Sequence, residues 1–214
     1  MSEIIELTPA EFAAQVALGA KAIRDGYVIV APLENSYALV ADAFFHDAVR
    51  ALHVLRGDEL GVSAQVMIGS SAAVDGIARE INEPVRKLID KFWPGQLSIN
   101  LKPQRGLNWD LGDGQQLDSF SVRVPRAEFI QKLAKAHGPL AVASAARAGK
   151  SPITDPNDLA FTDLEVAAIF SIGLIPQGPA STIVAADSDK PHILRVGAIS
   201  AQEITGIAPD ISGE

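Results

Sequence analysis

Residues 139–151 read Pro139-Leu140-Ala141-Val142-Ala143-Ser144-Ala145-Ala146-Arg147-Ala148-Gly149-Lys150-Ser151, and two readings compete for them. Leu140 to Ala143 form a short, wholly apolar run, which suits a strand buried on both faces. Ser144-x-x-x-x-Gly149-Lys150-Ser151 then differs from a phosphate-cradling P-loop by Ser144 in place of its first glycine. A P-loop must run straight into a helix. Here Pro152, Asp155 and Pro156 follow, and proline breaks a helix interior. Ser144 also lacks the backbone freedom that the first glycine supplies. The segment therefore reads as a buried strand and a turn of small residues, and its meaning has to come from its neighbours.

Working outward, helices and strands alternate. Thr8, Pro9 and Glu11 form a capping box for a helix that Gly26 ends. Tyr27 to Val30 is an apolar strand stopped by Pro32. Asp47 to Leu55 reads as a helix and Val66 to Ile68 as a strand. Two helices are expected near 72–80 and 83–92, the second opened by Asn82 and Pro84. Leu97 to Leu101 alternates as a half-buried strand does. Residues 102–118 lack periodicity and read as a long exposed loop. Ser119 to Val124 is a strand and Arg126 to His137 a helix. A helix around 158–170 and strands near 172–175, 181–185 and 192–195 complete the chain. The pattern gives an α/β (α+β) class with a mixed sheet, in one domain over residues 1–214.

Composition sets outer limits. The chain has 214 residues, 48% hydrophobic and 21% charged, too apolar for a disordered chain. Lys and Arg total 18 against 26 Asp and Glu, a formal net charge of −8. That excludes a surface coated in basic charge for nonspecific nucleic-acid binding, but it permits a local basic cavity. Cysteine is absent, which removes disulfides and thiolate chemistry. The acidic start carries no signal pattern, and no apolar run approaches the ~20 residues of a membrane span. These features fit a cytoplasmic protein without a membrane partner. His46, His53, His137 and His192 have no ligand-spaced partners, so no protein-bound metal is expected.

Ordered landmarks along the chain carry a resemblance. They are Val30-Ala31-Pro32-Leu33-Glu34-Asn35-Ser36-Tyr37-Ala38-Leu39, Leu55-Arg56-Gly57-Asp58, Phe92-Trp93-Pro94-Gly95-Gln96-Leu97-Ser98 and Ser121-Val122-Arg123-Val124-Pro125. The segment from Ser144, Pro179-Ala180-Ser181-Thr182-Ile183-Val184 and Ile193-Leu194-Arg195-Val196-Gly197-Ala198-Ile199 follow. In this order they resemble the motifs of the YrdC-like family, the threonylcarbamoyl-AMP synthases, over about residues 15–204. The resemblance implies a twisted mixed sheet with helices around a positively charged concave cavity. It implies an enzyme that joins threonine, bicarbonate and ATP, with Mg2+ accompanying the ATP, into threonylcarbamoyl-adenylate for the t6A modification of tRNA. Members are also described as binding double-stranded RNA.

Residue by residue, the resemblance assigns Arg56, Arg123, Ser144, Ser181 and Arg195 to nucleotide binding. It assigns Tyr37, Asn35, Asp58 and Met67 to the substrate pocket. Guanidinium forks suit phosphate and carboxylate oxygens. Together with Arg147 and Lys150, these arginines are expected to converge on one cavity.

The departures from the family pattern fall at substrate positions. Its Lys-Gly-Arg is Arg56-Gly57-Asp58 here, a swing of two charge units beside the expected phosphates. Its two turn threonines are Leu33 and Asn35, the Asn of its Ser-Ala-Asn is Ala146, and Met67 stands where its members often have His. Three readings stay open: a working synthase-like nucleotidyltransferase, a relative that binds nucleotide or RNA with lost or changed catalysis, and a non-enzymatic RNA-binding or interaction protein on the same scaffold. A cavity lined by the five cations favours anion binding. One dominated by Asp58 and Glu34 favours the scaffold.

Overall fold

The sheet runs through almost every segment of the chain. The computed structural model describes residues 3–116, 118–162, 164–188 and 190–212. In chain order the strands are β1 (Ile4–Glu6), β2 (Ile29–Pro32), β3 (Tyr37–Asp42), β4 (Gln65–Met67), β5 (Ala78–Arg79), β6 (Leu97–Pro103), β7 (Phe120–Arg123), β8 (Leu140–Ser144), β9 (Ile169–Ser171), β10 (Thr182–Ala185) and β11 (His192–Arg195). The helices are α1 (Phe12–Arg24), α2 (His46–Arg56), α3 (Val74–Ile77), α4 (Glu83–Phe92), α5 (Glu128–His137) and α6 (Ala201–Ile207). Strand order is β1-β9-β2-β3-β8-β4-β7-β6-β10-β11, with β5 paired to β6. Parallel pairs (β1·β9, β4·β7, β6·β10) mix with antiparallel ones (β2·β3, β3·β8, β4·β8, β6·β7). The mixed α/β class read from the alternation is the class observed.

Side-chain alternation along the strands sorts the helices onto two faces. On one face Ala38, Val40, Met67, Leu140 and Val142 pack against Val16, Ala20 and Ile23 of α1 and Phe129, Ile130 and Leu133 of α5. On the other, Val66, Leu97, Ile99, Val122 and Val184 pack against Val85, Leu88 and Ile89 of α4 and Ile204 of α6. Tyr37, Leu39 and Ala41 meet Ala48 and Leu52 of α2. Burying one such aliphatic side chain contributes about 1.5–3 kcal/mol. No helix among the described residues is long and apolar enough to cross a membrane.

Some local expectations give way to tertiary pairing. The capping box at Thr8 does not form. The Gln15 amide accepts from Thr8 N–H at 3.2 Å and donates to Glu6 C=O at 2.7 Å, and the helix begins at Phe12. β2 continues through Pro32, which pairs with Tyr37. The helix near 72–80 shortens to α3, because Ala78 and Arg79 pair with Pro103 and Lys102. The helix expected at 158–170 is absent. A tight turn at Pro156–Asp158 leads to extended chain, because Ile169, Phe170 and Ser171 are recruited between β1 and β2. The strand expected at 172–175 is displaced to β9, and the chain turns at Gly173 (φ 77°). The loop after β6 is not wholly exposed. Trp109 is buried with its ring 5.4 Å from Phe44 and 4.9 Å from Phe120, and Leu111 is buried beside it. One residue of that stretch, 117, lies outside the described residues, as does 163 in the segment read as a helix. β1, β3 and α6 have no counterpart in the pattern read from the sequence.

Candidate functional site

Helices α1 and α5 cover only part of their face of the sheet. Beyond Met67, Leu140 and Val142 the same face changes character: Gln65, Ser98, Asn100, Ser121, Ser144 and Ser181 share it by strand alternation and register. All but Ser98 are partly exposed. This polar strip crosses five strands, and of the expected nucleotide residues Arg123, Ser144, Ser181 and Arg195 share its face by register.

On its middle strand stands Arg123, the last residue of β7 and 5% exposed. Both terminal nitrogens are engaged: Nη1 and Nη2 donate to the two oxygens of Glu34, each at 2.8 Å, and Nη1 also donates to Gly95 C=O at 3.0 Å. Glu34 Oε1 accepts a further bond from Arg126 N–H at 2.7 Å. Burial alone would raise the Glu34 carboxyl, but the hydrogen bonds and charge of Arg123, with the backbone N–H groups, outweigh it and hold the group below its ordinary value. Among the described residues Arg123 Nε is buried without a partner, as is Asn100 Oδ1.

The turn that carries Glu34 also carries Asn35, whose Nδ2 donates to Pro179 C=O at 2.6 Å. Gln96 Nε2 donates to the same carbonyl at 3.1 Å. These bonds gather the β2–β3 turn, the Pro94–Gln96 segment and the chain entering β10. Ser181 follows directly. Its carbonyl accepts from Arg195 Nη2 at 2.9 Å and Nε at 3.2 Å, so this exposed guanidinium folds back onto its neighbouring strand.

Where β8 ends, α2 terminates in a cluster. Gly57 takes the left-handed conformation (φ 69°), which glycine adopts at little cost, and turns the chain so that Asp58 returns to His53. Asp58 Oδ2 lies 2.8 Å from His53 Nδ1, and Arg56 Nε donates to both Asp58 oxygens at 3.0 Å. His53 Nε2 meets Leu111 C=O at 2.8 Å, and Arg56 Nη1 donates to Ser144 C=O at 3.1 Å. The Asp58 side chain is 3% exposed. The cluster thus joins the end of α2, the end of β8 and the long loop after β6. A cavity of about 780 Å3 opens outside it, lined by His46, Arg50, Val54, Glu59 and Asp110 among others.

Arg56, Asp58 and Ser144 are therefore brought together, and so are Asn35, Ser181 and Arg195 around the Pro179 turn. Arg147 and Lys150 lie exposed in the turn after β8. Tyr37 is wholly buried. Its hydroxyl donates to Gly173 C=O at 2.6 Å, accepts from Ile172 N–H at 3.2 Å and lies 3.0 Å from Ser171 Oγ, which ties β3 to the turn after β9. Met67 is 1% exposed, within the core beneath α5. Two of the five expected cavity cations, Arg56 and Arg123, carry their own carboxylates. Among the described residues, no group of three or more His, Asp or Glu is arranged to hold a metal ion.

The sequence reading passed over His53 and Gln65. For His53 the sequence shows only the lack of a ligand-spaced partner, although a Gly-terminated helix returns the second residue after its end toward the last turn. Gln65 carries no recognisable signal, since a polar residue at a strand's start reads as a solvated position.

A family profile described as Telomere recombination, and named for Sua5, YciO and YrdC, matches residues 21–197. A Mycobacterium leprae (strain TN) protein provisionally assigned the name threonylcarbamoyl-AMP synthase is 31% identical over 98% of this chain and 96% of its own. The structure of Pyrococcus abyssi Sua5 complexed with L-threonine superposes on 100% of this chain with a TM-score of 0.88 and 27% identity. This chain spans only 63% of that one. E. coli YciO superposes on 95% of this chain with a TM-score of 0.82 at 20% identity, a likeness of fold alone.

Proposed function

Because the chain belongs to the Sua5/YciO/YrdC family, we propose that it binds an adenine nucleotide along the polar strip and that its synthase chemistry is lost or changed. The family reaction, as the resemblance implies it, joins threonine, bicarbonate and ATP and releases pyrophosphate. It needs free cations for a triphosphate and a shielded place for a labile carbamate.

One observation carries the reading: Asp58, which the resemblance aligns with a family arginine, has a buried side chain and takes up the Nε of Arg56. At ~4 Å and an effective dielectric near 20, one unit pair is worth roughly 4 kcal/mol. An anion approaching Arg56 therefore meets a guanidinium already neutralised. Arg123 is matched in the same way by Glu34. Arg195, with the exposed Arg147 and Lys150, remains for the phosphates. Any Mg2+ arrives with ATP as part of the substrate.

The test pairs calorimetry with ATP and AMP with a pyrophosphate-release assay containing ATP, threonine and bicarbonate. Nucleotide binding without threonine-dependent release is the expected result. Threonine-dependent turnover would show that the family reaction persists. No heat at millimolar nucleotide would remove the nucleotide from the reading altogether.

A further inference from the structure

Hydrogen-bond direction along the middle of the polar strip is dictated by chemistry. An amide N–H only donates, whereas a serine hydroxyl both donates and accepts. Gln65 Nε2 donates to Ser98 Oγ at 2.7 Å and to Ser121 Oγ at 3.0 Å. Ser98 Oγ, itself fully buried, donates onward to Ser181 Oγ at 2.9 Å. Ser121 and Ser181 have thus each received a hydrogen and keep their own O–H to give. Neither hydroxyl has an acceptor among the described residues, and both side chains are partly exposed. Gln65 Oε1 receives no hydrogen bond there either. The amide, by committing its two N–H groups to serines on two other strands, leaves two donors and one acceptor unspent among partly exposed side chains.

A carboxylate or phosphate on this row would meet the Gln65 carbonyl oxygen head on, and an ammonium would meet two hydroxyl hydrogens. A vicinal diol satisfies all three groups: each of its oxygens accepts from one serine, and its hydrogens are given to the two lone pairs of Gln65 Oε1. We propose that Gln65 is a specificity-determining residue that makes this row a seat for a neutral vicinal diol, the ribose of the bound nucleotide. The proposal rests on the nucleotide reading above and adds which part of the ligand the strip selects. The phosphates then lie toward Arg195, whose guanidinium borders Ser181.

The probes are AMP and its dideoxy analogue, titrated by calorimetry into the unaltered protein and into Gln65→Leu. The unaltered protein is expected to favour AMP by about tenfold, the scale of one or two well-placed hydrogen bonds. Gln65→Leu, with an unchanged melting temperature, is expected to bind both ligands alike. A merely structural loss would weaken both equally and keep their ratio. A tenfold preference surviving in Gln65→Leu, or AMP binding by the unaltered protein with no preference, overturns the role of Gln65 and leaves the nucleotide reading standing. No AMP binding by the unaltered protein overturns both. Should Gln65→Leu fail to fold, Ser121→Ala reads the same ratio from the end of the relay: its fall supports the diol seat and its persistence overturns it.

Discussion

Glu34 closes both carboxylate oxygens on the Arg123 guanidinium, 2.8 Å from each terminal nitrogen, where the two side chains are 14% and 6% exposed. A buried ion pair gains little over apolar residues of the same shape, but removing one partner strands the other charge. Glu34→Ala is expected to cost about 3–5 kcal/mol, measured as a lowered urea midpoint at unchanged slope. Adding Arg123→Leu is expected to restore much of that loss. A single-variant cost below about 1 kcal/mol would mean that water screens the pair as it does on a surface.

The same pair makes the fold sensitive to acid. Burial pushes the Glu34 carboxyl up, and the Arg123 bonds outweigh it. Burial likewise pushes Asp42 up, and the His137 bond at 3.0 Å with the Phe44 N–H outweighs it. Both folded values lie below the ordinary 4.5 and 3.8. Each group thus contributes stability in full above those ordinary values, and the contribution disappears as pH falls through the folded ones. Urea midpoints should hold steady down to about pH 4.5 with respect to these groups and fall below it. Glu34→Gln should flatten that fall. An acid limb unchanged in Glu34→Gln would place the sensitivity elsewhere.

Asp58→Asn removes a charge and keeps the shape. It leaves Arg56 without its counter-ion, and a stability loss of about 1–3 kcal/mol is expected. The freed guanidinium should bind ATP several-fold more tightly in calorimetry. Asp58→Arg is expected to gain nothing, since it would press a second guanidinium against Arg56 and His53 in a buried place. Unchanged ATP affinity in Asp58→Asn would mean that Arg56 serves only to join α2 to β8.

Tyr37→Phe separates support from recognition. The hydroxyl holds Gly173 C=O, Ile172 N–H and Ser171 Oγ, so its loss leaves buried polar groups without a partner. About 1–3 kcal/mol of stability is expected to go, with nucleotide affinity and any threonine response unaltered in the folded variant. A fall in ligand affinity larger than the stability loss explains would return Tyr37 to the substrate pocket.

Legibility followed the range of the interactions. β8 and β2 could be read because a short apolar run needs little context, and α4 because the Asn82 side chain caps it locally, accepting from Val85 N–H at 3.1 Å. α6 carried an equally local sign, the Ser200–Glu203 capping box, in a stretch too short for periodicity to draw attention. β9 could not be read, since the apolar spacing of 158–170 also fits a helix and only pairing with Ile4–Glu6 decides between them. Within the site, motif order located Arg56 and Arg123. Glu34 and Arg123 are 89 residues apart, and no local pattern announces that one neutralises the other. Gln65 was invisible for a similar reason: its partners Ser98 and Ser121 lie on different strands.

The pairing of Ile4 with Ile169 and of Ile5 with Phe170 has a kinetic side. β1 leaves a ribosome before the other strands of the sheet, and the partner of Ile4 follows 165 residues later. Until then Ile4 and Ile5 form an unpaired edge, the kind of segment that joins foreign strands, and closing so large a loop is entropically slow. The β1–β9 seam should therefore be the last part of the sheet to gain protection against amide exchange during refolding. It should also be the first to open in the native state.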